Sequence, residues 1–168
     1  ILGRDVLEQV VLALDADRRH VRLIVPDAFV PPEDLIEAEV VRDGNALVAE
    51  VTVEGNTLNA VVDTGSSSLL AVSRGSAAGV GLLDGRPSES GVSLVLGGSM
   101  RSDTVEARTV TFAEQLYRRV RVGVFEQPAL PNFPDGLVGM EAFEGRRAAL
   151  DLGAGRLLIS RQLDLTIG

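Results

Sequence analysis

A carboxylate stands at the end of a short apolar run and is followed at once by small, hydroxyl-bearing residues. The run Ala60-Val61-Val62 leads into Asp63, Thr64, Gly65 and Ser66. A charged group at the end of a buried strand needs hydrogen-bond donors, which hydroxyl groups and the amides near a glycine supply. The segment predicts a positioned acid/base group at Asp63. Because the same tripeptide also occurs in surface turns, the rest of the sequence has to decide between the two.

Other kinds of catalytic site lack the residues they need. His20 is the one histidine, and no Gly-x-Ser-x-Gly motif is present, and both observations argue against a serine hydrolase. The chain has no cysteine and no dense carboxylate pattern, so we expect no metal site and no cofactor. All sixteen basic residues are arginine, which excludes Schiff-base chemistry and the lysine of a phosphate-binding loop.

The charge and hydropathy patterns narrow the choice of partner. The net charge of −8 argues against binding to nucleic acid or to an anionic membrane surface, because both need clustered positive charge. No apolar run approaches the roughly 20 residues of a membrane-spanning helix. The chain begins at Ile1, without an initiator methionine or a signal peptide, so we expect it to be a processed or truncated piece of a longer protein.

The strands that lead to Asp63 read as consecutive hairpins. Apolar, β-rich runs alternate with turn sequences rich in Gly and Asn, which is the pattern of hairpin connections. The runs are Ile36–Val41, Ala46–Val53 and Thr57–Val62, and the turns between them are Asp43-Gly44-Asn45 and Glu54-Gly55-Asn56. The third strand delivers Asp63.

A long hairpin with a glycine-rich tip follows the candidate site. After a turn or short helix over 73–83, the arms Val92–Leu96 and Ser102–Phe112 flank Gly97, Gly98 and Ser99. Such a tip bends at little steric cost, so the hairpin predicts either a flap over a cleft or an ordinary surface hairpin. A further strand is expected over Val120–Phe125, and a proline-containing loop over Gln127–Asp135.

The two ends of the chain repeat one another. A shift of 136 positions superimposes Gly3 on Gly139, Ala13 on Ala149 and Asp15 on Asp151, and the apolar positions agree throughout. A repeated supersecondary unit implies two copies of one lobe. The first copy is then represented here by its final part alone.

These motifs, taken in order, resemble the aspartic peptidases, particularly the bacterial retropepsin-like and pepsin-like proteins. The resemblance is carried by Val61 to Ser67, by the glycine-tipped hairpin, and by Asp135 to Met140 with Leu150-Asp151 after it. It spans about residues 36–160. It implies an all-β, acid-protease-like β-barrel lobe with a flap hairpin and a short helix after the Leu137-Val138-Gly139 motif.

The resemblance also implies residue roles. Asp63 would be a catalytic carboxylate on a loop supported by Gly65, and Ser66 would donate to its outer oxygen. Thr64 would bond across to the matching loop of a partner lobe. Val138 and Gly139 would pass beside the active-site loop and hold it. The implied substrate is a peptide or protein, and the family resemblance suggests a periplasmic or secreted location.

The sequence departs from the family in supplying one Asp-Thr-Gly and no second copy of it. We therefore expect residues 1–25 to be the tail of a preceding lobe, 26–35 a linker and 36–168 a complete lobe. The second carboxylate would come from a missing upstream lobe or from a homodimer partner. The alternative is a peptidase-like module that binds peptides or proteins without cleaving them.

Overall fold

The computed structural model describes residues 9–15, 18–44, 46–95, 98–126 and 135–161. Over these residues the chain is built almost entirely of β-strands, and the predicted all-β fold class is confirmed. The strands are β1 (Val11–Asp15), β2 (His20–Ile24), β3 (Leu35–Ala38), β4 (Val40–Asp43), β5 (Ala46–Val53), β6 (Asn56–Val62), β7 (Leu70–Ser73), β8 (Ser88–Val95), β9 (Gly98–Phe112), β10 (Gln115–Phe125), β11 (Gly136–Val138), β12 (Arg147–Asp151) and β13 (Arg156–Ser160). Helix α1 spans Arg74–Gly79, and 3₁₀ helices span Pro26–Ala28 and Met140–Phe143. The second 3₁₀ helix is the short helix expected after the Leu-Val-Gly motif.

Several strands begin or end elsewhere than the apolar runs predict. The single strand expected over Ile36–Val41 is divided at Glu39, because β3 pairs with β13 whereas β4 pairs with β5. The long hairpin starts at Ser88 and the strand before Phe125 starts at Gln115, so both extend into polar sequence. Ladder hydrogen bonds come from the backbone, so a polar stretch can stay in a strand as long as its partner continues.

The described residues fall into two compact units. The first comprises those within 1–49, 113–115 and 143–168, and the second those within 50–112 and 116–142. The first unit contains an antiparallel sheet in the order β2-β1-β12-β13-β3, while β4 pairs with Ala46–Ala49 of β5. One face of the sheet packs around Val11, Ala149 and Leu158. Burial of this apolar face holds the sheet together.

The two hairpins of the first unit have strands with corresponding limits. A shift of 136 positions carries β1 onto β12 and β2 onto β13, with identical first and last positions. In each turn an aspartate side chain accepts a backbone N–H three residues later: Arg18 donates to Asp15 over 3.2 Å, and Ala154 donates to Asp151 over 3.1 Å. Over these strands the sequence repeat is therefore also a structural repeat.

The second unit contains a sheet in the order β5-β6-β11-β7-β10-β9-β8. Two neighbouring pairs in this sheet are parallel, β6 with β11 and β7 with β10. The β5–β6 hairpin turns through Glu54 and Gly55, whose φ angles of 48° and 87° suit the tight turn expected there. Fully buried apolar side chains of this unit include Val51, Val53, Leu70, Val72, Leu82 and Phe112.

An arginine-centred cluster ties three segments of the second unit together. Arg86 donates to both carboxylate oxygens of Glu54, over 2.7 and 3.0 Å, and also to Asp84. The Arg86 and Glu54 side chains are only 14% and 17% exposed. The hydrogen bonds from Arg86 hold the pKa of the Glu54 carboxyl below its ordinary 4.5, and the backbone N–H of Arg108 adds to this effect. The side-chain hydrogen bond from Arg86 also lowers the pKa of the Asp84 carboxyl.

We predict that Glu54→Gln lowers the free energy of unfolding by about 1–2 kcal/mol at neutral pH, because charge-assisted hydrogen bonds are lost. The folded-state pKa of Glu54 lies below its unfolded value, so this stabilisation is present above about pH 4.5 and disappears as the pH falls. The difference in the free energy of unfolding between the parent and Glu54→Gln should therefore become smaller in acid. Urea unfolding of both proteins at neutral and acidic pH measures this difference.

Glu89→Gln is the matched control for this measurement. Glu89 pairs with Arg121 on the surface, where the two side chains are 75% and 68% exposed, so we expect a change below about 0.5 kcal/mol. A Glu54→Gln deficit that is independent of pH, or no larger than that of the control, would contradict the assignment.

Candidate functional site

Asp63 directly follows β6 and is held by backbone hydrogen bonds. Its N–H donates to the Val138 carbonyl oxygen over 2.8 Å, and its own carbonyl oxygen accepts the N–H of Ser66 over 3.2 Å. The N–H of Gly65 donates to Asp63 Oδ1 over 2.9 Å. The side chain is half-buried. The carboxylate thus has a fixed orientation at the end of a strand and still reaches solvent.

Strand β11 brings the Leu137-Val138-Gly139 motif to this loop. It lies between β6 and β7, parallel to the first and antiparallel to the second. Val138 pairs with Val62 on one side and with Leu70 on the other, so it lies between the strand that enters the Asp63 loop and the strand that leaves it. Asp63 and Val138, which are far apart in sequence, are neighbours because of this insertion.

Gly139, the residue after β11, also contacts the loop that follows Asp63. Its N–H donates to the Leu69 carbonyl oxygen over 3.1 Å, and the N–H of Met140 donates to the Ser66 carbonyl oxygen over 2.8 Å. A Cβ atom on Gly139 would lie 2.2 Å from the Ser68 carbonyl oxygen and 2.6 Å from that of Ser66. The loop after Asp63 therefore packs on a backbone with no room for a side chain.

Two hydroxyl groups of the loop after Asp63 contact each other. Ser66 Oγ lies 3.2 Å from Ser68 Oγ, and either can donate. Thr64 is exposed. Donation from Ser66 to Asp63, and a bond from Thr64 to a partner lobe, stay predictions. Ser68 was not predicted as a site residue. The only sequence feature that marks it is its position directly after Ser66 and Ser67.

The predicted flap corresponds to the β8–β9 hairpin. Val95 pairs with Gly98 and Leu94 with Ser99, so Gly98 and Ser99 open the second arm. Gly97 lies outside the described residues. The arms run in register from Ser88 opposite Val105 to the tip, which makes the hairpin longer than its apolar residues alone indicate.

A polar network at the base of this hairpin was missed by the sequence reasoning. Arg74, the first residue of α1, donates to Asp103 over 2.8 Å and to Glu126 over 2.7 Å. Ser90, which pairs with Asp103 across the two arms, donates to its other carboxylate oxygen over 2.9 Å. The Arg74 guanidinium and then the Ser90 hydroxyl hold the pKa of the Asp103 carboxyl below its usual range.

This network links both hairpin arms to the segment that follows the Asp63 loop, because α1 begins immediately after β7. Its members are separated by up to 52 positions in sequence. No local motif marks them. The pairing of Ser90 with Asp103 and the pairing of Ser73 with Phe125 bring them together.

In the part of the chain that the structure describes, no group of three or more His, Cys, Asp or Glu side chains could hold a metal ion. No helix within those same residues has the length and apolar character needed to cross a membrane.

The geometry offers one oriented carboxylate beside hydroxyl groups and backbone amides. A carboxylate that reaches solvent can accept a proton from a water molecule, which is the first requirement of general base catalysis. Hydrolysis by carboxylates alone also needs an acid to protonate the substrate carbonyl, and a pair of carboxylates that share one proton provides both. The Asp63 carboxylate meets the first of these two requirements.

Comparison with known proteins agrees with this geometry. Residues 49–142, which contain the Asp63 loop, the β8–β9 hairpin and β11, match the model of the aspartyl protease family. A search of curated proteins gave no match. Among solved structures, the chain is similar to a retropepsin-like aspartic protease from Rickettsia conorii, with a TM-score of 0.53 and 22% identity. The similarity covers 74% of this chain and 89% of that one, and it supports the retropepsin-like fold.

We predict that Gly139→Ala destabilises the protein by at least about 2 kcal/mol, because the new methyl group would overlap two carbonyl oxygens of the Asp63 loop. Gly75→Ala is the control. A Cβ there meets nothing within 4 Å, so alanine in α1 should be neutral or stabilising by up to about 1 kcal/mol. Thermal unfolding of both variants measures the difference, and equal stabilities would show that the loop can move away from Gly139.

Proposed function

The chain belongs to the aspartyl protease family, and we propose that it is an aspartic endopeptidase in which Asp63 is one of two catalytic carboxylates. The observation that carries this proposal is the held carboxylate itself. Asp63 directly follows a strand, accepts the Gly65 N–H at Oδ1, and donates its own backbone N–H to the Val138 carbonyl oxygen. The roles of Thr64, Ser66 and Gly139 follow as proposals from the same loop.

The chemistry requires two carboxylates that share a proton. Two such groups within hydrogen-bond distance cannot both ionise easily, so one stays protonated and the pair titrates as a unit. The ionised member takes a proton from water, whose oxygen attacks the peptide carbonyl carbon, while the protonated member gives its proton to the carbonyl oxygen. Collapse of the resulting diol breaks the C–N bond and transfers a proton to the leaving amine.

The second carboxylate comes, in this proposal, from an upstream lobe or from a second copy of the chain. The repeated β1–β2 hairpin supports the upstream lobe, because a homodimer has no evident use for a duplicate of β12–β13. On this view residues 1–25 belong to the preceding lobe, 26–35 link the lobes and 36–168 form the second lobe.

The proposed substrate is an extended peptide or protein segment. The β8–β9 hairpin, with Gly97, Gly98 and Ser99 at its tip, is proposed as the flap that closes over it. An extended peptide under a flap can be held by main-chain hydrogen bonds in the manner of an added strand. The Arg74–Asp103 contact would then fix the base from which the flap moves.

We predict that Asp63→Asn lowers peptide cleavage on the order of a thousandfold in the assembly that contains both carboxylates, because the shared proton is lost while the shape is kept. Peptide binding and thermal stability should change little. Asp43→Asn, at an exposed position at the end of β4, is the control and should keep full activity. Hydrolysis of a denatured protein substrate measures both variants.

The parent activity should also fall as the pH rises enough to ionise both carboxylates, because the acid member is then absent. Full activity in Asp63→Asn would overturn the proposal. Peptide binding without cleavage in every assembled form of the parent would instead favour the non-catalytic binding module.

A further inference from the structure

Tyr117, the one tyrosine of the chain, joins strand β10 to the 3₁₀ helix that follows Gly139. Its hydroxyl group donates to the Ala142 carbonyl oxygen over 2.7 Å, and its side chain is half-buried. A partly buried tyrosine hydroxyl ordinarily has a hydrogen-bond partner, so this contact by itself indicates no function. Two further features of the structure connect it to the Asp63 loop.

The first feature is a break in the alternation of β10. Val120 and Val122 are buried, whereas Arg118 and Arg119 are both exposed. Arg119 has a left-handed backbone conformation, with φ at 54°. One such residue that shifts the alternation of a strand by one position is typical of a β-bulge. Strict alternation backward from Val120 would put Tyr117 on the exposed face, so the bulge is what turns Tyr117 inward.

The second feature is the place of this part of β10 in the sheet. β10 pairs in parallel with β7, with Val122 opposite Leu70. β7 starts at Leu70, directly after the loop that follows Asp63. Because the two strands are parallel, the residues of β10 before Val122 extend past the start of β7, at the end of the sheet where the Asp63 loop lies. Tyr117 belongs to this extension.

The 3₁₀ helix connects Tyr117 to the loop. The Met140 N–H donates to the Ser66 carbonyl oxygen over 2.8 Å, and the Ala142 N–H donates to the Gly139 carbonyl oxygen over 3.1 Å. The helix has four residues, and so short a 3₁₀ helix has few hydrogen bonds of its own. Its position therefore depends on contacts with its surroundings, of which Ser66 supplies one and Tyr117 another.

We propose that Tyr117 is a positioning residue for the proposed peptidase reaction. Its hydroxyl group holds the Ala142 end of the 3₁₀ helix, so that Gly139 and Met140 stay against the loop and the Asp63 carboxylate keeps its orientation. Tyr117 acts through the helix and not on the substrate. The kinetic consequence rests on the proposed function, whereas the structural link from Tyr117 to the loop does not depend on any activity.

Amide hydrogen exchange in the 168-residue chain tests the structural link. Tyr117→Phe removes one oxygen atom and keeps the ring. We expect exchange of the Met140 N–H, which donates to Ser66, to become about three- to tenfold faster than in the parent, because a hydrogen bond that holds the helix is lost. Ser160→Ala is the matched control, since Ser160 Oγ accepts the Arg147 N–H over the same 2.7 Å, in a partly buried position of the first unit. It should leave Met140 exchange unchanged.

Kinetics in the assembly that contains both carboxylates test the catalytic consequence. A small displacement of a catalytic group slows the chemical step, whereas peptide binding depends on the cleft and the proposed flap. We expect Tyr117→Phe to lower kcat about tenfold and to leave KM within about twofold of the parent value. Arg119→Gly is the control in the same strand, because glycine adopts the left-handed conformation of the bulge and keeps Tyr117 in place. Its kcat should match that of the parent.

Equal acceleration of Met140 exchange in Tyr117→Phe and Ser160→Ala would show an effect on global stability alone and would overturn the proposal, as would an unchanged kcat in Tyr117→Phe. A rise in KM at constant kcat, or loss of the folded structure, would make the hydroxyl a binding or purely structural group and would overturn it too. Exchange needs no catalysis. A parent without peptidase activity would therefore defeat the proposed function, while the exchange result still decides the link from Tyr117 to the loop.

Discussion

The arrangement around Asp63 depends on one close approach between two pieces of backbone. Gly139 lies against the carbonyl oxygens of Ser66 and Ser68 with no space for a methyl group. Hydrogen bonds on either side, from Gly139 to Leu69 and from Met140 to Ser66, hold it there. The carboxylate is therefore positioned by backbone atoms, whose geometry varies far less than that of side chains. This is how a small loop can keep a charged group in one orientation.

The charged clusters of the second unit suit a protein expected to work through carboxylates. Hydrogen bonds from arginine lower the pKa of Glu54, Asp84 and Asp103. A carboxyl with a lowered folded-state pKa stays ionised, and keeps its arginine partner, further into acid than an ordinary one. The contact between Arg74 and Asp103 should thus persist further into acid than a contact made by an aspartate of ordinary pKa.

Local sequence signals predicted the parts of this structure that depend on local geometry. The turn at Gly55 and the strand that leads to Asp63 follow from patterns within a few residues. The repeated hairpins around Ala13 and Ala149 follow from comparing the two ends of the sequence. Long-range polar contacts left no such signal. Arg74 meets Asp103, and the buried Arg146 donates to the Ser160 carbonyl oxygen, through strand pairings that an arginine in sequence does not reveal. The division at Glu39 was missed because the apolar pattern continues although the pairing partner changes.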